Sequence, residues 1–158
     1  MTSSPSSSRS TYPAFQRMAP RTVDAMRVIG AEVKDAGLGT DLLELIKVRA
    51  SQINACAFCL QFHLNAARVH GVPGRKLDLL SVWREVELFD GRERAALGWA
   101  ERLTRLPFDP EDARDDWQAV TRWFSEEEAT ALTIAVAQIN AWNRIAAGLN
   151  FPPPESQD

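Results

Sequence analysis

The chain has 158 residues and a formal charge of −3. That length favours one domain, which buries roughly 70% of its unfolded surface and needs no disulfide staples. Its arginines are interleaved with carboxylates, as in Asp112-Ala113-Arg114-Asp115-Asp116. That pattern reads as a solvated face and argues against the basic surface of a nucleic-acid binder.

The N-terminus is rich in serine and has no apolar stretch of the kind a secretory signal needs. Residues 1–11 therefore read as a disordered tail, 12–153 as one domain and 154–158 as a second tail. No span is expected either. The longest charge-free run near the C-terminus, 129–143, contains Thr, Gln and Asn and falls short of the ~18 apolar residues a membrane crossing requires. These features point to a cytoplasmic protein with reduced thiols, away from membranes.

Strand periodicity is nearly absent, and helical periodicity recurs between Gly, Pro and capping residues, so the expected fold is an all-α bundle of about seven helices. A first helix spans about 22–36 and stops at Gly37. A second opens at Thr40 or Asp41 and runs to Ile53, with Leu42, Leu43, Ile46, Ala50 and Ile53 as its apolar stripe. Glu44 lies off that stripe and by itself reads as a solvated carboxylate near Lys47. Asn54 is the expected cap of a third helix, 55–70, which Gly71 ends. A fourth spans 74–86. Asp90 with Glu93 forms a capping box for a fifth, to about Leu106, and Pro110 opens a sixth that ends near Phe124. Ser125 with Glu128 caps a long last helix to about Ala147, apolar over much of its circumference and so expected at the centre of the core or between subunits. Trp83, Trp99, Trp142 and Phe58 leave a pocket-lining role open, but at helical spacing they read first as core.

The chemistry concentrates on the third helix. The chain has two cysteines, Cys56 and Cys59, too close together to act as a useful staple. With His63 they share one stripe of neighbouring turns. The stripe holds a nucleophile, a base and a second thiol able to condense with a sulfenic acid. A cysteine alone reads as a small buried hydrophobe, but the C-x-x-C-x-x-x-H unit reads as functional. Position does not decide which sulfur attacks first. Cys56 lies nearer the helix N-terminus, which favours a thiolate, and Cys59 has the better register with His63. Two thiolates and an imidazole would also serve zinc. A structural zinc site draws a further ligand pair from elsewhere, however, and the other histidine, His70, reads as surface. No metal or cofactor is expected.

The segment from Glu44 to Cys59 with His63 and Ala66-Ala67-Arg68, together with Arg92-Glu93-Arg94-Ala95-Ala96-Leu97 and Ile139-Asn140-Ala141-Trp142-Asn143-Arg144, resembles the carboxymuconolactone decarboxylase-like superfamily. The pattern E-x(11)-C-x(2)-C-x(3)-H is most similar to its AhpD-like alkylhydroperoxidase branch. The resemblance covers about 12–153 and implies an all-α homo-oligomer, a trimer or hexamer, that reduces hydrogen peroxide or organic hydroperoxides. It implies Cys59 as the peroxidatic thiol, Cys56 as the resolving thiol, His63 as the base and a buried Glu44 that orients His63 or relays its protons. It also implies an external thiol electron donor, such as a dihydrolipoyl or thioredoxin-like protein. One position departs from the branch: Phe58 stands where characterised AhpD proteins carry a His. Two other readings of the same pair are a disulfide reductase or redox partner indifferent to peroxide, and a non-catalytic helical oligomer.

Overall fold

The computed structural model describes residues 8–107 and 109–157, and the described residues contain helices and no strand. The α-helices are α1 (Tyr12–Met18), α2 (Pro20–Asp35), α3 (Thr40–Ile53), α4 (Ala57–Val69), α5 (Gly74–Leu79), α6 (Gly91–Thr104), α7 (Pro110–Trp123) and α8 (Glu126–Leu149), and a 3₁₀ segment (Leu80–Glu85) follows α5. The all-α expectation holds. Both capping boxes form, Asp90 with Glu93 on α6 and Ser125 with Glu128 on α8. Pro110 stands in the first turn of α7 behind an Asp109 cap.

Three elements differ from expectation. The seven-residue α1 buries no residue, so it left no apolar stripe in the sequence. The expected fourth helix breaks at Val82, whose φ of −119° and ψ of 27° are not helical, and its second half tightens into the 3₁₀ segment. Between α3 and α4, Asn54 ends the earlier helix, and Cys56 caps the later one. Of the expected tails, residues 1–7 and 158 lie outside the described residues. Ser10 N–H donates to Leu149 O at 3.1 Å, and Gln157 N–H donates to Asn65 Oδ1 at 3.1 Å.

The centre belongs to α3 and α8. From Leu42 to Ser51 every α3 residue is buried except the half-buried Lys47. A helix enclosed on all sides must find partners for any polar side chain it carries. Glu44 faces α4, Arg49 faces α6 and Ser51 faces α8, and each is hydrogen-bonded there. Arg49 Nε donates to Glu101 Oε1 at 2.6 Å, Trp83 Nε1 donates to the same oxygen at 3.0 Å, and Arg84 and Arg105 hold Oε2.

Burial alone would raise the Glu101 carboxyl, but the hydrogen bonds from Trp83, Arg84 and Arg49 outweigh it and hold the group at about 2, down from 4.5. A depressed carboxyl adds stability above its unfolded value and loses it as pH falls through its folded value. The melting temperature is therefore expected to fall steeply between pH 4.5 and about 2. Glu101→Ala, which strands the buried Arg49, is expected to cost about 3 kcal/mol, or roughly 6–12 °C in melting temperature. A melting temperature flat across that acid range, or unchanged in the variant, contradicts the assignment.

Candidate active site

The turn between α3 and α4 places both sulfurs. Ala55 N–H donates to Gln52 O at 3.2 Å and Cys56 N–H to Ser51 O at 3.1 Å, the paired bonds of a Schellman closure. That closure needs a left-handed residue, and Ala55 supplies it at φ 51° where glycine would be the easier choice. The chain then re-enters a helix with Cys56 as its N-cap, and Cys59 N–H donates to Cys56 Sγ at 3.4 Å. Cys56, not the expected Asn54, is thus the cap, and it stands just outside the helix rather than within it. Its sulfur still lies among the free N–H groups of the helix start. Both cysteines are free thiols and buried.

Charge and access are divided between them. The Cys59 thiol hydrogen-bonds the Cys56 sulfur. Backbone N–H groups of Cys59 and Phe58 and the Asn143 side chain add to that bond, and together they outweigh burial and hold Cys56 at about 6, down from 9.0. The same thiol hydrogen bond, together with burial, pushes Cys59 up. Cys59 nevertheless lines a cavity of about 300 Å³.

That cavity collects side chains from five helices. Tyr12, Phe58, Phe62 and Trp142 give it an aromatic wall, with Met26 and Ile139 beside them. Arg27, Lys47, His63 and Gln138 supply its polar groups. Phe58 and Trp142 therefore face the cavity, whereas Trp83 and Trp99 are core residues, as expected.

Glu44 is 5% exposed, not solvated. Its Oε2 lies 2.7 Å from His63 Nδ1, and its Oε1 accepts from Lys47 Nζ at 2.8 Å. Burial raises its carboxyl, and the His63 and Lys47 contacts overcome that and hold it at about 2. An ionised carboxylate only accepts hydrogen bonds, so the proton of this contact sits on His63 Nδ1. In the neutral ring, Nε2 then keeps its lone pair. His70 is exposed at the end of α4, as expected.

Asn143 was missed in the sequence. It is 1% exposed on α8; its amide N–H donates to Ser51 Oγ at 3.1 Å, and its Oδ1 accepts from Asn54 Nδ2 at 2.8 Å. Asn54 also donates to Asn140 Oδ1 at 2.9 Å, and Asn140 donates to Thr104 Oγ1 at 2.9 Å. This chain of amides fixes the donor that reaches the two sulfurs. An asparagine inside a helix that is otherwise apolar on most sides was the available signal.

Residues 21–102, over half of the chain, match the Carboxymuconolactone decarboxylase family. The chain belongs to that family. Among its relatives, the Bacillus subtilis (strain 168) protein YdfG, itself uncharacterised, is 30% identical over 138 residues, spanning 86% of this chain and 92% of YdfG. A crystal structure from Agrobacterium tumefaciens, of a protein of unknown function provisionally named as the antioxidant defence protein AhpD, matches with a TM-score of 0.84. The two are 34% identical, and the match covers 94% of this chain and 99% of that one. The debrominase Bmp8 shares the fold at a TM-score of 0.77 and 20% identity, over 88% of this chain and 74% of its own. As a carboxymuconolactone decarboxylase family member, this chain has the AhpD-like arrangement of helices.

Two measurements check the site. Thiolate absorbance is expected to show one transition near pH 6 and the other well above the free-thiol range. Asn143→Ala is expected to move the first to higher pH and to cost about 1–3 kcal/mol from its stranded partners. A first transition that stays in place in the variant contradicts the Asn143 contact. Ala55→Gly is expected to stabilise the fold by about 1 kcal/mol in chemical denaturation. A destabilised variant contradicts the strained turn.

Proposed function

We propose that this protein is a thiol-dependent peroxidase-like oxidoreductase that reduces hydrogen peroxide or organic hydroperoxides through Cys59, Cys56, His63 and Glu44. The observation that carries the reading is geometric: Cys59 lines a cavity together with His63, whose Nδ1 is held by Glu44, and Cys56 stands beside Cys59 with its sulfur accepting the Cys59 N–H.

Its bond to the Cys56 sulfur and its burial keep Cys59 protonated at rest, so a base is needed. In the proposed cycle the Cys59 thiol turns from that sulfur toward the cavity and gives its proton to His63 Nε2, with Glu44 fixing the ring through Nδ1. The Cys59 thiolate attacks the outer peroxide oxygen. An S–O bond forms as the O–O bond breaks, and the departing alkoxide takes the proton back from His63 and leaves as the alcohol. The Cys56 thiolate then attacks the sulfenic sulfur of Cys59. A disulfide forms, and the expelled hydroxide becomes water with a solvent proton. Two electrons have passed from the thiol pair to the peroxide, and an external dithiol donor returns them. Phe58 takes no part in proton transfer, so His63 carries that task alone between the two helices. The likeness to Bmp8 is one of fold and carries no argument about substrate.

Reduced protein exposed briefly to hydroperoxide is expected to lose both titratable thiols and two hydrogens in intact mass. Cys56→Ser should stop at a trappable sulfenic acid on Cys59, and Cys59→Ser should give none. Trapping on Cys56 in the second variant would reverse the roles. Thiols that survive peroxide but are consumed by a disulfide substrate would replace this reading with the disulfide reductase.

A further inference from the structure

We infer that the cavity over Cys59 selects a ring-bearing organic hydroperoxide that carries a carboxylate or other anionic group, an inference that rests on the peroxidase reading above. Hydrogen peroxide needs no cavity wall, and a wall of about this shape has a definite composition. Tyr12 and Phe58 stand with ring centroids 5.6 Å apart, Tyr12 and Trp142 at 6.1 Å, and Phe58 and Phe62 stack at 6.2 Å with 23° between their planes. The four rings come from α1, α4 and α8 and all border the cavity. Flat apolar faces at such spacings favour offset or edge-on packing with another ring. Phe58 belongs to this wall and immediately precedes Cys59 in the chain. A volume of about 300 Å³ suits a single substituted ring and lies at the small end of ligand cavities.

The polar lining has a sign. Arg27 and Lys47 border the cavity, and no carboxylate does among the described residues. Their acidic partners lie outside the lining. Glu44 takes one of the three donors of Lys47 at 2.8 Å, and Asp24 meets Arg27 at 3.3 Å in a pair whose side chains are 70% and 62% exposed. An exposed pair of that kind is worth little and exchanges readily for a ligand carboxylate. A guanidinium also offers a carboxylate two parallel donors. The ring therefore seats against the aromatic wall, the anion meets Arg27 and Lys47, and the peroxide reaches Cys59.

Two experiments on the full chain separate this inference from the peroxidase reading. First, calorimetric titration of reduced protein with 4-isopropylbenzoate, which carries no peroxide, is expected to show binding, and isopropylbenzene with the anion removed is expected to bind more weakly. Second, thiol loss is followed with hydrogen peroxide, cumene hydroperoxide and the para-carboxylate of cumene hydroperoxide. The expected order of rates is carboxylate first, neutral ring second and hydrogen peroxide last. In Arg27→Glu the ratio of the charged-ring rate to the neutral-ring rate is expected to fall about tenfold. Thiol loss with equal rates for all three peroxides and no binding of the benzoate overturns the substrate class and leaves the peroxidase reading intact. Binding of the benzoate without thiol loss to any peroxide overturns the peroxidase reading, and with it the substrate role of the ligand.

Discussion

A carboxylate buried in the central helix is the constraint that organises this protein. Glu44 sits on α3, which is enclosed by α4, α6 and α8, and a charge there is tolerable only if it is paired and hydrogen-bonded. Lys47 provides one partner from the same helix, and His63 provides the other from α4. The pairing ties α3 to α4 at a fixed register and settles which nitrogen of His63 carries its proton. Cys59 and His63, four positions apart on α4, then both line the one cavity. Burial of Glu44 thus links the packing of the core to the protonation state of the site.

The second organising feature is the short turn that brings α4 back against α3. Its left-handed position is filled by Ala55, and the strain is held in place by the two closing hydrogen bonds. The turn makes Cys56 a helix cap rather than a helix residue. The Cys59 thiol, and after it the N–H groups at the helix start, donate to this cap sulfur and hold its thiol below the usual range, on the sulfur that is not among the cavity lining. Asn143 reaches in from α8 and is held by Ser51 and Asn54. Three helices therefore converge on a pair of sulfur atoms, and each contributes through a different kind of hydrogen bond.

Much of the bundle was legible because its punctuation is local. Asp90 with Glu93 and Ser125 with Glu128 announce helix starts through side chains three residues apart, and Gly37 marks a stop through its own backbone. The register of Cys59 with His63, four apart on α4, was legible for the same reason. What escaped depends on tertiary surroundings. The burial of Glu44 could not be read from a wheel that assigns one face to the core, because α3 is buried on nearly every face. The position of Cys56 was missed because an alanine in a left-handed turn carries no signal that distinguishes it from an alanine in a helix. Asn143 required knowing that α8 passes the sulfurs, and Tyr12 that a helix of one or two turns folds across the cavity.

The orientation of His63 is the most direct point at which to test this picture. Nitrogen chemical shifts of the neutral imidazole, recorded by long-range NMR correlation and assigned by comparison with His63→Gln, report which ring nitrogen carries the proton. A ring protonated at Nδ1, with a bare Nε2 and loss of that preference in Glu44→Gln, is the expected result. A ring protonated at Nε2, or one unaffected by Glu44→Gln, would contradict the pairing on which the site is built.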